Sequence, residues 1–108
     1  DSTTILARNS KTSALLSVNN ENFNGDRDDY ILQTLRIYRN KDVSLSDFDT
    51  KEFSDVKFVK FEVHKEDLDV WHYVGAKDKQ AFVISCGGPR NDLLKDSCEQ
   101  AINSIELK

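Results

Sequence analysis

"VISCGGPRNDLLKDSCEQAINSIEL", Val83 to Leu107, decides how this chain folds, because it passes from a strand through a tight corner into a helix. Val83 to Cys86 closes a run rich in β-branched and aromatic residues, which favours a pleated, half-buried strand. Gly87 and Gly88 are expected to supply unusual dihedrals at the corner, and Pro89 to stop the strand. Beyond it, Leu94, Cys98, Ala101, Ile102 and Ile105 fall at i, i+4, i+7, i+8 and i+11, a continuous apolar stripe. Glu99 and Asn103 belong to the water side. The helix must therefore fold back over the sheet that the strand enters.

Working backwards, "QAFVISC", "LDVWHYVGA" and "VKFVKFEV" are strand-like runs separated by short charged turns, which makes an antiparallel meander. In the last of them Val56 and Phe58 share one parity and Val59, Phe61 and Val63 the other. That change of phase predicts a bulge. Ser44 to Phe53 is polar and mixed, anchored by Phe48 and Phe53, and reads as a loop with one helical turn. Asp26 can cap a helix over Arg27 to Asn40, with Ile31, Leu35 and Tyr38 as its stripe and Leu32 alongside. Asp28 and Asp29 suit its positive end, and Arg36, Arg39 and Lys41 its negative end. Thr3 to Ala7 and Thr12 to Val18, separated by Arg8 to Lys11, form an N-terminal hairpin.

The expected fold is one α+β domain spanning 1–108. An antiparallel sheet, made of the N-terminal hairpin and a C-terminal three-strand meander, is packed by two helices as an α/β/α sandwich. The 108 residues suffice for a single core but not for a second. With 38% hydrophobic residues the chain offsets the cost of ordering, yet no stretch nears the roughly 20 apolar residues that span a bilayer. Fifteen basic against nineteen acidic side chains give a net charge of −4, which argues against a nucleic-acid partner, since phosphate binding needs clustered Lys and Arg. The sequence contains no methionine, and its start, Asp1-Ser2-Thr3-Thr4, lacks the charged and apolar segments of a signal peptide. It reads as a processed product or as a piece of a longer chain.

Chemistry-bearing residues are few. Cys86 and Cys98 stand twelve positions apart across the corner. In an oxidising compartment they form a disulfide, worth about 3 kcal/mol by chain entropy; in the cytosol they are two small buried hydrophobes. The disulfide is the favoured reading, and with it a periplasmic or secreted location, the alternative being cytoplasmic. Neither metal-ligand pairs nor a C-x-x-C redox spacing is present. "CGGPRN" lacks the glycine spacing and lysine of a phosphate loop, and "SLSDFDTKEFSD" lacks the spacing and glycine of a calcium loop. No cofactor is expected.

His64 and His72 flank "KEDLDVW" and would face each other across a hairpin, an arrangement open to acid–base work but more simply two strand histidines. Trp71 and Tyr73 share one face of their strand and Val70, His72 and Val74 the other. One set is core. The other belongs to the second helix layer or to a binding patch; Trp and Tyr bury readily, which favours the aromatic set as core, and Trp71, Tyr73, His64 and His72 are the candidate residues for any binding surface, with no catalytic residue assigned.

The order of elements, with the basic helix end Arg36-Ile37-Tyr38-Arg39 and a closing "AINSIEL" from Ala101 to Leu107, resembles the PsbP-like fold. Within it the chain is most similar to small bacterial lipoproteins of the DcrB type, whose chains often finish "ILNSIKL". Their typical P-x-G-W segment has no counterpart here. The resemblance implies an α/β/α sandwich that serves as a binding or assembly factor, with a lipid anchor upstream. The resulting expectation is a non-catalytic exported domain whose partner is another protein. The alternative is a small-ligand carrier or enzyme with a pocket between a curved sheet and a helix, lined by His64, His72 and Tyr73.

Overall fold

The computed structural model describes residues 2–9, 11–39, 44–53 and 55–104, with backbone alone for 2–7, 44–47 and 53. The elements run β1 (Ser2–Arg8), β2 (Leu15–Asn22), α1 (Arg27–Arg39), β3 (Ser44–Phe53), β4 (Val56–Lys65), β5 (Leu68–Lys77), β6 (Gln80–Pro89) and α2 (Leu94–Asn103). All six strands join one antiparallel sheet in the order β1-β2-β6-β5-β4-β3. The chain is thus α+β, an antiparallel sheet with two helices. Asn40 and Lys41 at the expected end of the first helix, and Ile105 and Leu107 in the last, lie outside the described residues.

The meander has four strands rather than three, because Ser44 to Phe53 is a strand and not a loop. Its polar composition hid it. As an edge strand it pairs with β4 alone, so polar side chains cost it little, and a register shift between Ser46 and Asp49 breaks its alternation. The bulge expected in β4 is absent: β4 and β5 pair without a shift from Phe58↔Gly75 to Lys65↔Leu68. The change of phase has another cause. Val56 and Phe58 belong to a core cluster that contains Leu94, Cys98 and Ile102 of α2. Phe61 and Val63 belong to a second cluster with Tyr30 and Ile31 of α1, and Val59 packs against it. Since neighbouring strand residues point to opposite faces, one strand serves both cores at different points along its length.

The same alternation runs through β5 and β6. Trp71, Tyr73, Phe82, Ile84 and Cys86 face the α2 cluster, whereas Val74 and Ala81 face the α1 cluster. On α1 the Asp29 amide donates to Asp26 Oδ1 at 2.8 Å, the expected cap. Tyr30, Ile31 and Thr34 are buried, while Leu32 is 53% exposed, so the stripe lies one residue N-terminal of where Leu32 would extend it.

The corner between β6 and α2 needs no special dihedral, since neither Gly87 nor Gly88 has a positive φ. Close approach is what requires glycine there. A Cβ on Gly87 would lie 2.4 Å from the Asp69 carbonyl oxygen, and one on Gly88 2.7 Å from that of Ser13. Positive φ occurs instead at turn residues with side chains, including Glu66, Asp78 and Lys79.

Candidate functional site

The four residues singled out on the sequence do not form one surface. Trp71 and Tyr73 are core residues on the α2 side, 5% and 2% exposed. The Tyr73 phenol is pushed up to about 12, first by burial and then by Glu99 and Glu62 nearby. His72 is also buried, but on the opposite face, with Nδ1 2.7 Å from Ser85 Oγ and its ring tilted 4.7 Å from that of Tyr38. His64 pairs with Asp69 in the β4–β5 register, two positions along from Glu62↔Trp71, and so shares the face of Trp71. The two histidines therefore do not face each other, because their sequence positions have the same parity but sit on different strands of an offset pair.

His64 takes part instead in a charge cluster. Its Nδ1 is 2.7 Å from Asp69 Oδ1 and its Nε2 3.3 Å from Glu62 Oε1. Arg90, just past β6, donates from Nε and Nη2 to both oxygens of Asp69 at 2.9–3.1 Å. These bonds, above all those from Arg90, hold the Asp69 carboxyl below its ordinary value, while its partial burial works the other way and His64 adds to the lowering. The Arg90 amide also donates to the Asp67 carbonyl. Together they clasp the segment leading into α2 to the β4–β5 turn.

Cys86 and Cys98 lie at disulfide-bonding distance with Cα atoms 5.5 Å apart, joining β6 to the inner face of α2. This is the pairing expected for an oxidising compartment. No set of His, Cys, Asp and Glu suited to a metal ion occurs among the described residues. Among them, too, no helix is long and apolar enough to cross a membrane.

An open, partly apolar surface lies at the end of the sheet on the α1 side. Arg8, Leu15, Gly87 and Val70 succeed one another across β1, β2, β6 and β5 as register partners. With Leu68 and Gly88 they line a depression of about 560 Å³ to which no helix residue contributes. Leu68 is 45% exposed there. Sequence reading placed Val70 only as the face opposite Trp71 and passed over Leu15 and Leu68. The signal that marks the place is the glycine pair, which leaves bare backbone where neighbouring strands carry side chains.

No protein-family model matches the chain, and no curated protein matches it. Among solved structures, "Protein of Unknown Function PA94 from Pseudomonas aeruginosa" is similar at TM-score 0.72 and 13% identity, covering 99% of this chain and 82% of that one. At that identity the likeness shows the fold alone.

Proposed function

We propose that this is a non-catalytic exported domain that binds another protein through the sheet-end depression of Leu15, Leu68 and Val70. The carrying observation is that apolar side chains and bare glycine backbone meet there without a helix above them, on a face that α1 covers elsewhere. Such a patch, rimmed by Arg8 and Asn9, has the apolar centre and polar edge of a protein contact. The Cys86–Cys98 pair supports a periplasmic or secreted location, and a lipid anchor upstream is proposed only on the sequence resemblance of the closing "AINSIEL" to DcrB-type lipoproteins. The two clusters on opposite strand parities support the reading of α1 and α2 as the outer layers of an α/β/α sandwich.

A photo-crosslinking side chain at position 68, introduced into the protein in its own cell, tests the reading. A discrete adduct with one other protein is expected, lost in Val70→Lys and kept in Asp28→Ala on the distant helix. Crosslinking that ignores Val70→Lys, or that joins only solvent, would remove the proposed surface.

A further inference from the structure

A second hollow lies on the other face, between α2 and the β1–β2 hairpin, with a volume of about 630 Å³. Its existence follows from side-chain size. Ala14 on the hairpin and Ala101 on α2 both line it, together with the buried Leu16 and Cys86. Longer side chains at the two alanines would close it.

The charge of this hollow runs against that of the chain. The whole sequence carries −4, yet the ionisable residues bordering the hollow are Arg8 and Lys11, both cationic and exposed. Neither has a carboxylate partner among the described residues. The opposite flank of α2 differs: there Lys51 and Lys60 border a depression together with Asp49 and Glu99, so charges of both signs balance. Arg8 ends the edge strand and borders both faces of the sheet end, whereas Lys11 belongs to this hollow.

Neutral donors point the same way. Ser97 Oγ accepts from Asn9 Nδ2 at 3.2 Å and from Thr12 Oγ1 at 3.4 Å. A hydroxyl can donate as well as accept, so Ser97, which lines the hollow, can offer its proton to an acceptor bound there. Asn9 Oδ1 in turn accepts from the Lys11 and Thr12 amides, which fixes the turn that carries Lys11. Gln100 adds an amide from the next turn of α2. An apolar floor with cations and a hydroxyl donor at its mouth matches one chemical class.

We infer that the hollow between α2 and the N-terminal hairpin binds a single-chain amphiphilic carboxylate, its tail over Ala14, Leu16 and Ala101 and its headgroup at Lys11, Arg8 and Ser97. The apolar strip excludes a bare inorganic anion as the best ligand, and the cationic mouth excludes a neutral or cationic amphiphile. The site lies on the opposite face from the protein-binding surface and shares with it only the rim residues Arg8 and Asn9.

Titrating the oxidised full chain with decanoate below its micellar concentration, followed by amide NMR shifts, tests it. Saturable binding is expected, with shifts centred on Lys11 to Leu16 and Ser97 to Ala101. Acetate, which has the head without the tail, and decyltrimethylammonium, which has the tail with the opposite charge, should each bind at least about ten-fold more weakly, a difference of about 1.4 kcal/mol. Exposed-site replacement of both cations, Arg8→Gln with Lys11→Gln, should weaken decanoate by a similar factor without moving the unfolding midpoint. Ala101→Leu should block the tail. Equal binding of decanoate and decyltrimethylammonium, shifts centred on Leu68 and Val70, or no saturable binding of decanoate would each overturn the inference.

Discussion

Arg90 holds both carboxylate oxygens of Asp69, and through them ties the start of the segment before α2 to the end of the β4–β5 hairpin. The Asp69 carboxyl is only 13% exposed, so its partner cannot be replaced by water without cost. Because the folded-state value of this acid is depressed, its contribution to stability is present above the ordinary carboxylate range and is lost as pH falls through the folded value. Removing the cation should bring the folded value back towards the unfolded one. Arg90→Ala should therefore lower stability at neutral pH and flatten the decline below about pH 4. Urea melts at stepped pH check this, and parallel acid limbs for the two proteins would show that the pair has no linkage to folding.

Cys86 and Cys98 are each 1% exposed and belong to the same core cluster as Leu94 and Ile102. Their link joins residues at a sequence separation of 12, and in the chain-entropy account loops of this size confer about 3 kcal/mol. Replacing both by alanine should cost about that much, plus a contribution from two lost buried sulfurs. Denatured but unreduced protein should take up no alkylating reagent. Two alkylated thiols in protein taken directly from its compartment would show that the link is not made there, and would remove the main support for an exported domain.

The fold was legible wherever both sides of an argument lay within a few residues. The α2 stripe at Leu94, Cys98 and Ile102, the Asp26 cap and the β5–β6 hairpin all depend on local spacing, and all are present. What failed depended on partners distant in sequence. Ser44 to Phe53 is a strand because β4 offers it an edge, and nothing in its own polar composition announces that. Val56 to Val63 gave the appearance of a bulge because two helices, α1 and α2, take different parities of the same strand. Trp71 and Tyr73 are core, as the tendency of such aromatics to bury favours over a surface patch, whereas the open sheet end is defined by glycines, whose lack of a side chain carries little signal in a sequence.

Gly87 tests whether that bare backbone is required by packing. An added Cβ would meet backbone on β5, the Asp69 oxygen at 2.4 Å and the Val70 Cα at 2.7 Å, and backbone in a sheet interior cannot yield without parting the strands. Gly87→Ala should cost at least about 1–3 kcal/mol, the range for overpacking. Gly25 provides the comparison. Its added Cβ would meet the ring of Phe23 at 2.7 Å, a similar separation, but the obstacle is the far end of a side chain at an exposed turn. Gly25→Ala should change stability by no more than about 0.5 kcal/mol. Equal losses at the two sites would show that Gly87 is not held by the approach of β5.

The β5–β6 hairpin contains a further reserve of stability at its tip. Asp78 and Lys79 are its two turn residues, with φ of 55° and 64°. Two consecutive positive φ values in a two-residue hairpin are those of a type I′ turn, whose twist suits the flanking strands but whose second position favours glycine. Lysine there carries a Cβ in the left-handed region, whereas glycine adopts it without steric penalty. The turn also matters beyond its own strands, since the Lys79 carbonyl accepts from the Phe23 amide at 2.9 Å and so fixes the chain leaving β2. Glycine keeps that carbonyl. Lys79→Gly should therefore raise stability by about 0.5–1 kcal/mol, relief of strain outweighing the greater freedom of glycine in the unfolded chain. Lys79→Val should act in the opposite direction, because a β-branched side chain tolerates positive φ least. Denaturant midpoints of the two variants decide the matter. If Lys79→Gly destabilises and Lys79→Val does not, the tip is not a strained I′ turn.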